Sequence, residues 1–215
     1  PVILTRIDGH AALVNGEALR RAGITADTKI TGGEVILSDG VPTGMLIDNA
    51  IEPVTEAIPE PDPEMLSAAL LQAQEDCFAV GLSSVMDAGL EVSRIKLIDS
   101  LQQAGKLKMK INAMLTPMDS TYLDFMKEGI YKTSRLHVNS VKLYADGALG
   151  SRGACMIEPY SDDPDNYGLI MHPESYYRVV MENAYQYNFQ VNTHAIGDSG
   201  NRFTLDLYDD YLKGP

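Results

Sequence analysis

Lys142, Asp146, Arg152 and His194 are the side chains whose type and placement fit chemistry. The first three share one stretch, Val141-Lys142-Leu143-Tyr144-Ala145-Asp146-Gly147-Ala148-Leu149-Gly150, followed by Ser151-Arg152-Gly153. Read as a strand, it sets Val141, Leu143 and Ala145 on one face and Lys142, Tyr144 and Asp146 on the other. Both faces of a helix-covered parallel sheet are normally apolar, so a lysine and an aspartate on one of them must be paired, coordinated or catalytic. The glycines that follow end the strand and permit a close backbone approach. His194 closes a second polar stripe, with Gln190 and Asn192 on its face and Val191, Thr193 and Ala195 on the other.

The elements that must hold these groups are legible from periodicity. The pattern predicts helix 64–80, strand 82–86, helix 91–104, strand 107–115, helix 120–127, strand 136–145, helix 174–188, strand 189–193 and helix 199–212. Strands alternating with helices argue for a parallel sheet with crossover helices, either doubly wound or a barrel. No Gly-x-Gly-x-x-Gly follows a strand, which speaks against a dinucleotide site. The strand at 107–115 also divides, with Lys108, Lys110, Asn112 and Met114 opposite Met109, Ile111, Ala113 and Leu115. Three strands with one apolar and one polar face favour a barrel, whose polar residues line the lumen and whose active groups collect at the C-terminal strand ends.

The first sixty residues differ in character. A short buried strand is predicted at 2–7, a helix at 11–22 with Gly23 as its cap, and a hairpin at 32–48 around Ser38-Asp39-Gly40-Val41-Pro42-Thr43-Gly44. Pro53, Pro59, Pro61 and Pro63 mark the connection onward. The domains expected are therefore 1–60, a hairpin-containing segment inserted near the start, and 61–215, a partial (β/α) barrel.

Between Lys142 and His194 the chain is longer than the roughly 30 residues of a βα unit. The surplus is the loop at 148–168, rich in acids and turn formers, and a loop of that kind is expected to be a lid or binding loop. Its acids Asp162, Asp163 and Asp165 lack the spacing and closing glutamate of an EF-hand, which leaves a solvated loop.

The totals bound the function. The 215 residues are 45% hydrophobic and 22% charged, a soluble globular composition, and the net charge of −13 argues against nucleic acid or an anionic membrane as partner. Cys77 and Cys155 have no metal-type spacing and read as reduced thiols of a cytoplasmic protein. No apolar run reaches the length of a membrane span. The chain opens on Pro1 without an initiator Met and closes on Lys213-Gly214-Pro215 just after a helical pattern, so it is expected to be part of a longer protein.

Several blocks carry a family resemblance. Val141 to Arg152, Asn192-Thr193-His194-Ala195-Ile196-Gly197-Asp198, Thr5-Arg6-Ile7-Asp8-Gly9-His10-Ala11-Ala12-Leu13-Val14-Asn15, Pro42-Thr43-Gly44-Met45-Leu46, Gly81-Leu82-Ser83-Ser84-Val85-Met86-Asp87-Ala88-Gly89 and Pro159-Tyr160-Ser161-Asp162-Asp163 appear in the family's order. Together they closely resemble the metal-dependent amidohydrolases of the amidohydrolase-3 group, the branch with N-substituted formamide deformylase-like enzymes. The resemblance implies a (β/α)8 TIM-type barrel, of which this chain would hold roughly strands 2 to 5. It also implies Lys142 as a carbamylated lysine ligand on the fourth strand and His194 as the fifth-strand histidine ligand of zinc or another divalent metal. A carbamate gives lysine a carboxylate-like oxygen donor, and imidazole suits zinc. The family's His-x-His pair, sixth-strand histidine and eighth-strand aspartate have no counterpart, since the other histidines are His10, His137 and His172.

Three of the remaining candidates keep two roles each. Asp146 is an acid at the reacting centre or behind the ligands, or else a cap for the glycine turn. Arg152 meets a substrate carbonyl or carboxylate, or forms a surface ion pair. His10 faces the pocket from the inserted segment, or sits at a helix start. Tyr144 shares the face of Lys142, His137 reads as structural and His172 as exposed. The expectation is a cytoplasmic hydrolase fragment that cleaves a non-peptide C–N amide-type bond of a small molecule through metal-activated water. The fragment alone is expected to be inactive and weakly zinc-binding or metal-free, and to self-associate through the open sheet edges of a half-barrel. The competing expectation is a non-catalytic binding domain on the same scaffold.

Overall fold

The computed structural model describes residues 1–212 apart from 8, 31, 32, 60 and 119. Asp8 beside His10, Gly32 at the start of the predicted hairpin, and the terminal Lys213-Gly214-Pro215 thus lie outside the described residues. The chain divides into two compact units, Pro1–Pro61 and Asp62–Pro215.

In the first unit β1 (Ile3–Thr5), β2 (Ala11–Val14), β3 (Gly33–Ser38) and β4 (Val41–Asp48) form an antiparallel sheet in the order β1-β2-β4-β3. Helices α1 (Gly16–Arg21) and α2 (Glu52–Glu56) add Ala18, Leu19 and Val54 to a small core around Ala12, Val14 and Leu46. The helix predicted at 11–22 is corrected here. Its first four residues are strand, hydrogen-bonded to β1 on one side and β4 on the other. Asn15 then starts the helix, its side chain accepting the N–H of Ala18 at 3.1 Å. Pairing on two edges satisfies the backbone of Ala11–Val14 as fully as a helix would, and local periodicity does not register that choice.

The hairpin is also tighter than predicted. Asp39 and Gly40 take positive φ of 50° and 77° and form its two-residue turn, so β4 runs through Pro42, Thr43 and Gly44. Gly44 has φ +91°, and a Cβ there would strike the Val14 carbonyl.

In the second unit β5 (Ser84–Leu90), β6 (Lys110–Leu115), β8 (Leu136–Tyr144) and β9 (Gln190–His194) are parallel neighbours in that order. A short β7 (Tyr131–Lys132), not foreseen from sequence, pairs antiparallel with the start of β8. The connecting helices are α3 (Pro63–Ala79), α4 (Val92–Gln103), α5 (Thr121–Lys127), α6 (Glu174–Gln186) and α7 (Asp198–Leu212). They pack on one sheet face: Ile95, Met126, Tyr177 and Leu207 meet Ala113, Val138, Val141 and Leu143 in a single apolar cluster. Burial of such side chains at about 25 cal/mol per Å² is the main stabilising contribution. Strand β6 begins three residues later than predicted. The N–H groups of Lys108 and Met109 bond the buried side chain of Gln74 on α3 instead of a neighbouring strand.

One irregularity decides which face the chemistry occupies. Along β8, Leu136 and Val138 are buried against the helices, and strict alternation would send Ser140 and Lys142 the same way. The register slips, however. Ala113 and Met114 on β6 are consecutive, yet they oppose Val138 and Ser140 on β8. Asn139 is the extra residue of a β-bulge, and after it Val141 and Leu143 take over the helix face while Lys142 turns to the other.

Candidate functional site

Lys142, Tyr144, Asn192 and His194 share the sheet face that the helices leave free. In the β8–β9 register Lys142 is opposite Asn192, and Tyr144 is opposite His194. The lysine and the histidine therefore sit one layer apart on adjacent parallel strands, at their C-terminal ends. The Lys142 Nζ lies 3.8 Å from the centre of the Tyr144 ring and donates to the Leu143 carbonyl at 3.3 Å. That ring in turn stands 5.6 Å from the His194 imidazole, centre to centre. Desolvation lowers the pKa of Lys142 below the ordinary lysine value, because partial burial disfavours the ammonium.

Two further residues complete this surface and were missed from the sequence. Gly89, next to last in β5, has φ +138°, and a Cβ there would lie 2.9 Å from Thr116 Oγ1 and within 4.0 Å of the Lys142 stem. Thr116 follows β6, its N–H bonded to the Leu90 carbonyl at 3.0 Å. The signal for both was position: a glycine and a hydroxyl at the C-terminal ends of strands next to the lysine strand. Asn192 adds an unmet demand, since its buried Nδ2 has no hydrogen-bond partner among the described residues.

Asp146 is placed elsewhere. Its side chain, 1% exposed, turns away from solvent and accepts three backbone N–H groups: Cys155 at 2.8 Å and Gly197 at 2.8 Å on Oδ2, and Ile196 at 2.9 Å on Oδ1. Hydrogen bonds to a charged acceptor are worth about 1.5–3 kcal/mol each, so this is a strong local tie. The Asp198 Oδ1 likewise accepts from Ile157 N–H at 2.8 Å. The loop at 148–168 is thereby stitched to the start of α7, and internally by Met156 N–H to Tyr167 O and by the Tyr160 hydroxyl to Ala154 O.

Arg152 sits in that loop at φ 58° and pairs with Asp162 through Nε at 3.3 Å and Nη2 at 2.8 Å. The pair raises the arginine pKa and lowers that of the aspartate, but both side chains are well exposed and water screens them. In the first unit His10 Nδ1 bonds Asp48 Oδ1 at 2.8 Å, with Asp48 at φ 47°. His137 lies beside Asn112 in the β6–β8 register, and the His172 ring stacks near Tyr176 at 4.3 Å.

A helix-backed parallel sheet with a lysine and a histidine at neighbouring strand ends defines an α/β class whose active groups are carried at the carboxyl edge. Within it, the family model described as the amidohydrolase family, amidohydrolase-3 group, matches residues 1–213, and the chain belongs to that family. The protein LONG AFTER FAR-RED 3 of Arabidopsis thaliana is 34% identical over 97% of this chain, and the putative amidohydrolase YtcJ of Bacillus subtilis strain 168 is 32% identical over 92%. The chain spans 38% of the length of each of these relatives. Among solved structures it is similar to an uncharacterized metal-dependent hydrolase of Pyrococcus horikoshii OT3, with TM-score 0.76, 27% identity, and 98% of this chain against 42% of that one. A Pyrococcus furiosus counterpart gives TM-score 0.74 and 28% identity, with 98% against 43%. Among the described residues no helix is long and apolar enough to cross a membrane.

Proposed function

We propose that the chain contributes Lys142 and His194 to the metal site of a hydrolase that cleaves a C–N amide-type bond, with N-formyl and N-acyl amides as the substrate class. The observation that carries this reading is their common face on adjacent parallel strands, in a family whose solved neighbours are described as metal-dependent hydrolases. The second unit then represents roughly strands 2 to 5 of a (β/α)8 barrel, with the polar face of β6, β8 and β9 toward the lumen. The free thiols of Cys77 and Cys155 accord with a cytoplasmic protein.

The residues present fit a divalent ion held through a lysine carbamate. Desolvation favours the neutral amine of Lys142, the form whose lone pair adds to CO2. The buried Nδ2 of Asn192, opposite Lys142 and without a partner among the described residues, is the donor a carbamate oxygen would satisfy. His194 supplies a nitrogen donor suited to zinc. A bound divalent ion supplies a water of lowered pKa and polarises a carbonyl. The chain's own part is to hold the two donors and to keep the space over Lys142 open through Gly89.

Among the described residues no three His, Cys, Asp or Glu side chains converge on one point. A catalytic zinc ordinarily takes three protein ligands and an open position. The 215-residue chain by itself is therefore expected to bind zinc weakly and to leave N-formyl and N-acyl amides intact. The test is 13C NMR with labelled bicarbonate, together with zinc titration of the intact parent protein. A carbamate resonance lost in Lys142→Arg, with zinc binding lost in His194→Ala, supports the metal site. An unmodified lysine and no bound zinc in the intact parent would favour a non-catalytic binding domain on the same scaffold. We also propose self-association: β5 and β9 each pair on one side only among the described residues, and Met86 on β5 is exposed.

A further inference from the structure

We infer that Asp146 is a positioning residue: its buried carboxylate locks the turn at 194–198 to the loop at 148–168, and so fixes the His194 imidazole on the face of Lys142. Hydrogen bonds and close packing hold this side chain and the strand end that carries it. Its two oxygens take the N–H groups of Cys155, Ile196 and Gly197, so one carboxylate holds two segments far apart in sequence. The strand end is fixed from its own side, because Ala145 N–H bonds the His194 carbonyl at 2.8 Å and the buried Tyr177 hydroxyl bonds the Tyr144 carbonyl at 2.8 Å.

Gly197, just before α7, and Gly200 in its first turn are shaped to this clamp. A Cβ at Gly200 would stand 2.5 Å from Asp146 Oδ2, and one at Gly197 would collide with the Cys155 carbonyl. Gly200 N–H also returns a bond to the Cys155 carbonyl at 3.1 Å. The helix start is thus pressed onto the carboxylate, where the positive end of the helix dipole favours negative charge. Both oxygens of Asp146 are buried and accept backbone N–H groups. The residue acts on the site through the backbone that follows His194, at Ile196 and Gly197.

The inference rests on the reading of His194 as a metal ligand for its effect on affinity, but not for the clamp itself. The test uses the full 215-residue chain with Asp146→Asn, Gly200→Ala and His194→Ala. The amide keeps the size of Asp146 but sets an NH2 against one of the three N–H donors. Gly200→Ala leaves the carboxylate in place, raises helix propensity, and crowds Oδ2. Expected without metal is at least tenfold faster hydrogen exchange at Cys155, Ile196 and Gly197 in the first two variants, with the far-UV spectrum unchanged. In the intact parent protein, zinc affinity read by competition with a chelator should fall about tenfold in both.

Unchanged exchange at those amides would overturn the clamp. Faster exchange with wild-type zinc affinity, while His194→Ala abolishes binding, would overturn the positioning role. Should His194→Ala leave zinc affinity intact, the metal reading fails, and the His194 imidazole 1H–15N resonances recorded without metal decide the matter. Displaced resonances in Asp146→Asn then support positioning, and unmoved ones refute it. If Asp146→Asn fails to fold, Gly200→Ala carries the same comparison.

Discussion

At the scale of single residues, the lysine face is set by what is missing as much as by what is present. Gly89 combines φ +138° with a Thr116 hydroxyl 2.9 Å from where a Cβ would stand, so Gly89→Ala meets both backbone strain and a clash. Strained positions of this kind cost about 1–3 kcal/mol each, and urea unfolding of Gly89→Ala should show a loss of that size. A change below a few tenths of a kcal/mol would mean that β5 relaxes at no cost. Leu143, 1% exposed between Lys142 and Tyr144, anchors the opposite face. Its replacement by alanine should cost about 2–5 kcal/mol in the same measurement, the range for a buried leucine. Losing the lysine amine should cost far less, since Lys142 is partly exposed and makes one long hydrogen bond at 3.3 Å. Chemistry and stability thus reside on alternate residues of one strand.

At the scale of elements, capping decides where α1 and α3 begin. Asn15 and Asp62 each bond the N–H three residues on, at 3.1 and 2.8 Å, and Pro63 follows Asp62 at the first helical position. Asn15→Ala should destabilise the first unit by about 1 kcal/mol, seen as a lowered midpoint in chemical unfolding. The same helix carries a pH signature. Hydrogen bonds from Arg20 and Arg21 hold the Glu17 carboxyl down at about 2. Its folded pKa is depressed, so its contribution is complete above the usual carboxylate range and fades as pH falls through about 2. An NMR titration should give Glu17 this low midpoint and Arg20→Ala a higher one; coincident curves would dismiss the pairing. The loop at 148–168 makes the same point differently. Its length and irregularity predict a lid or a binding loop, and Asp146 and Asp198 tie it to the start of α7.

At the scale of the whole molecule, exposed apolar surface is the conspicuous feature of the second unit. Beside β9 a hollow of about 290 Å³ is lined by Met181, Tyr185, Phe189, Val191, Tyr208 and Leu212. Strand β9 offers no second pairing there among the described residues. Such edges associate unless protected, and the net charge of −13 opposes association at low salt. Light scattering should therefore report self-association that increases with both concentration and ionic strength. A constant monomer mass across both series would remove the proposal.

The sequence by itself determined the alternation of strands and helices, the family, and the apolar stripe of Val141, Leu143 and Ala145, because periodicity and motif order are local properties. It could not determine that Ala11–Val14 is a strand, since that choice depends on two partners distant in sequence. Nor could it locate the bulge at Asn139 that turns Lys142 onto the face of His194, because a register slip exists only between paired strands. It left Asp146 between two roles, and only the folded chain, by bringing Cys155, Ile196 and Gly197 to one carboxylate, gave that side chain its partners. Local pattern chooses the elements; pairing and burial, which join residues far apart in the chain, decide where each functional side chain points.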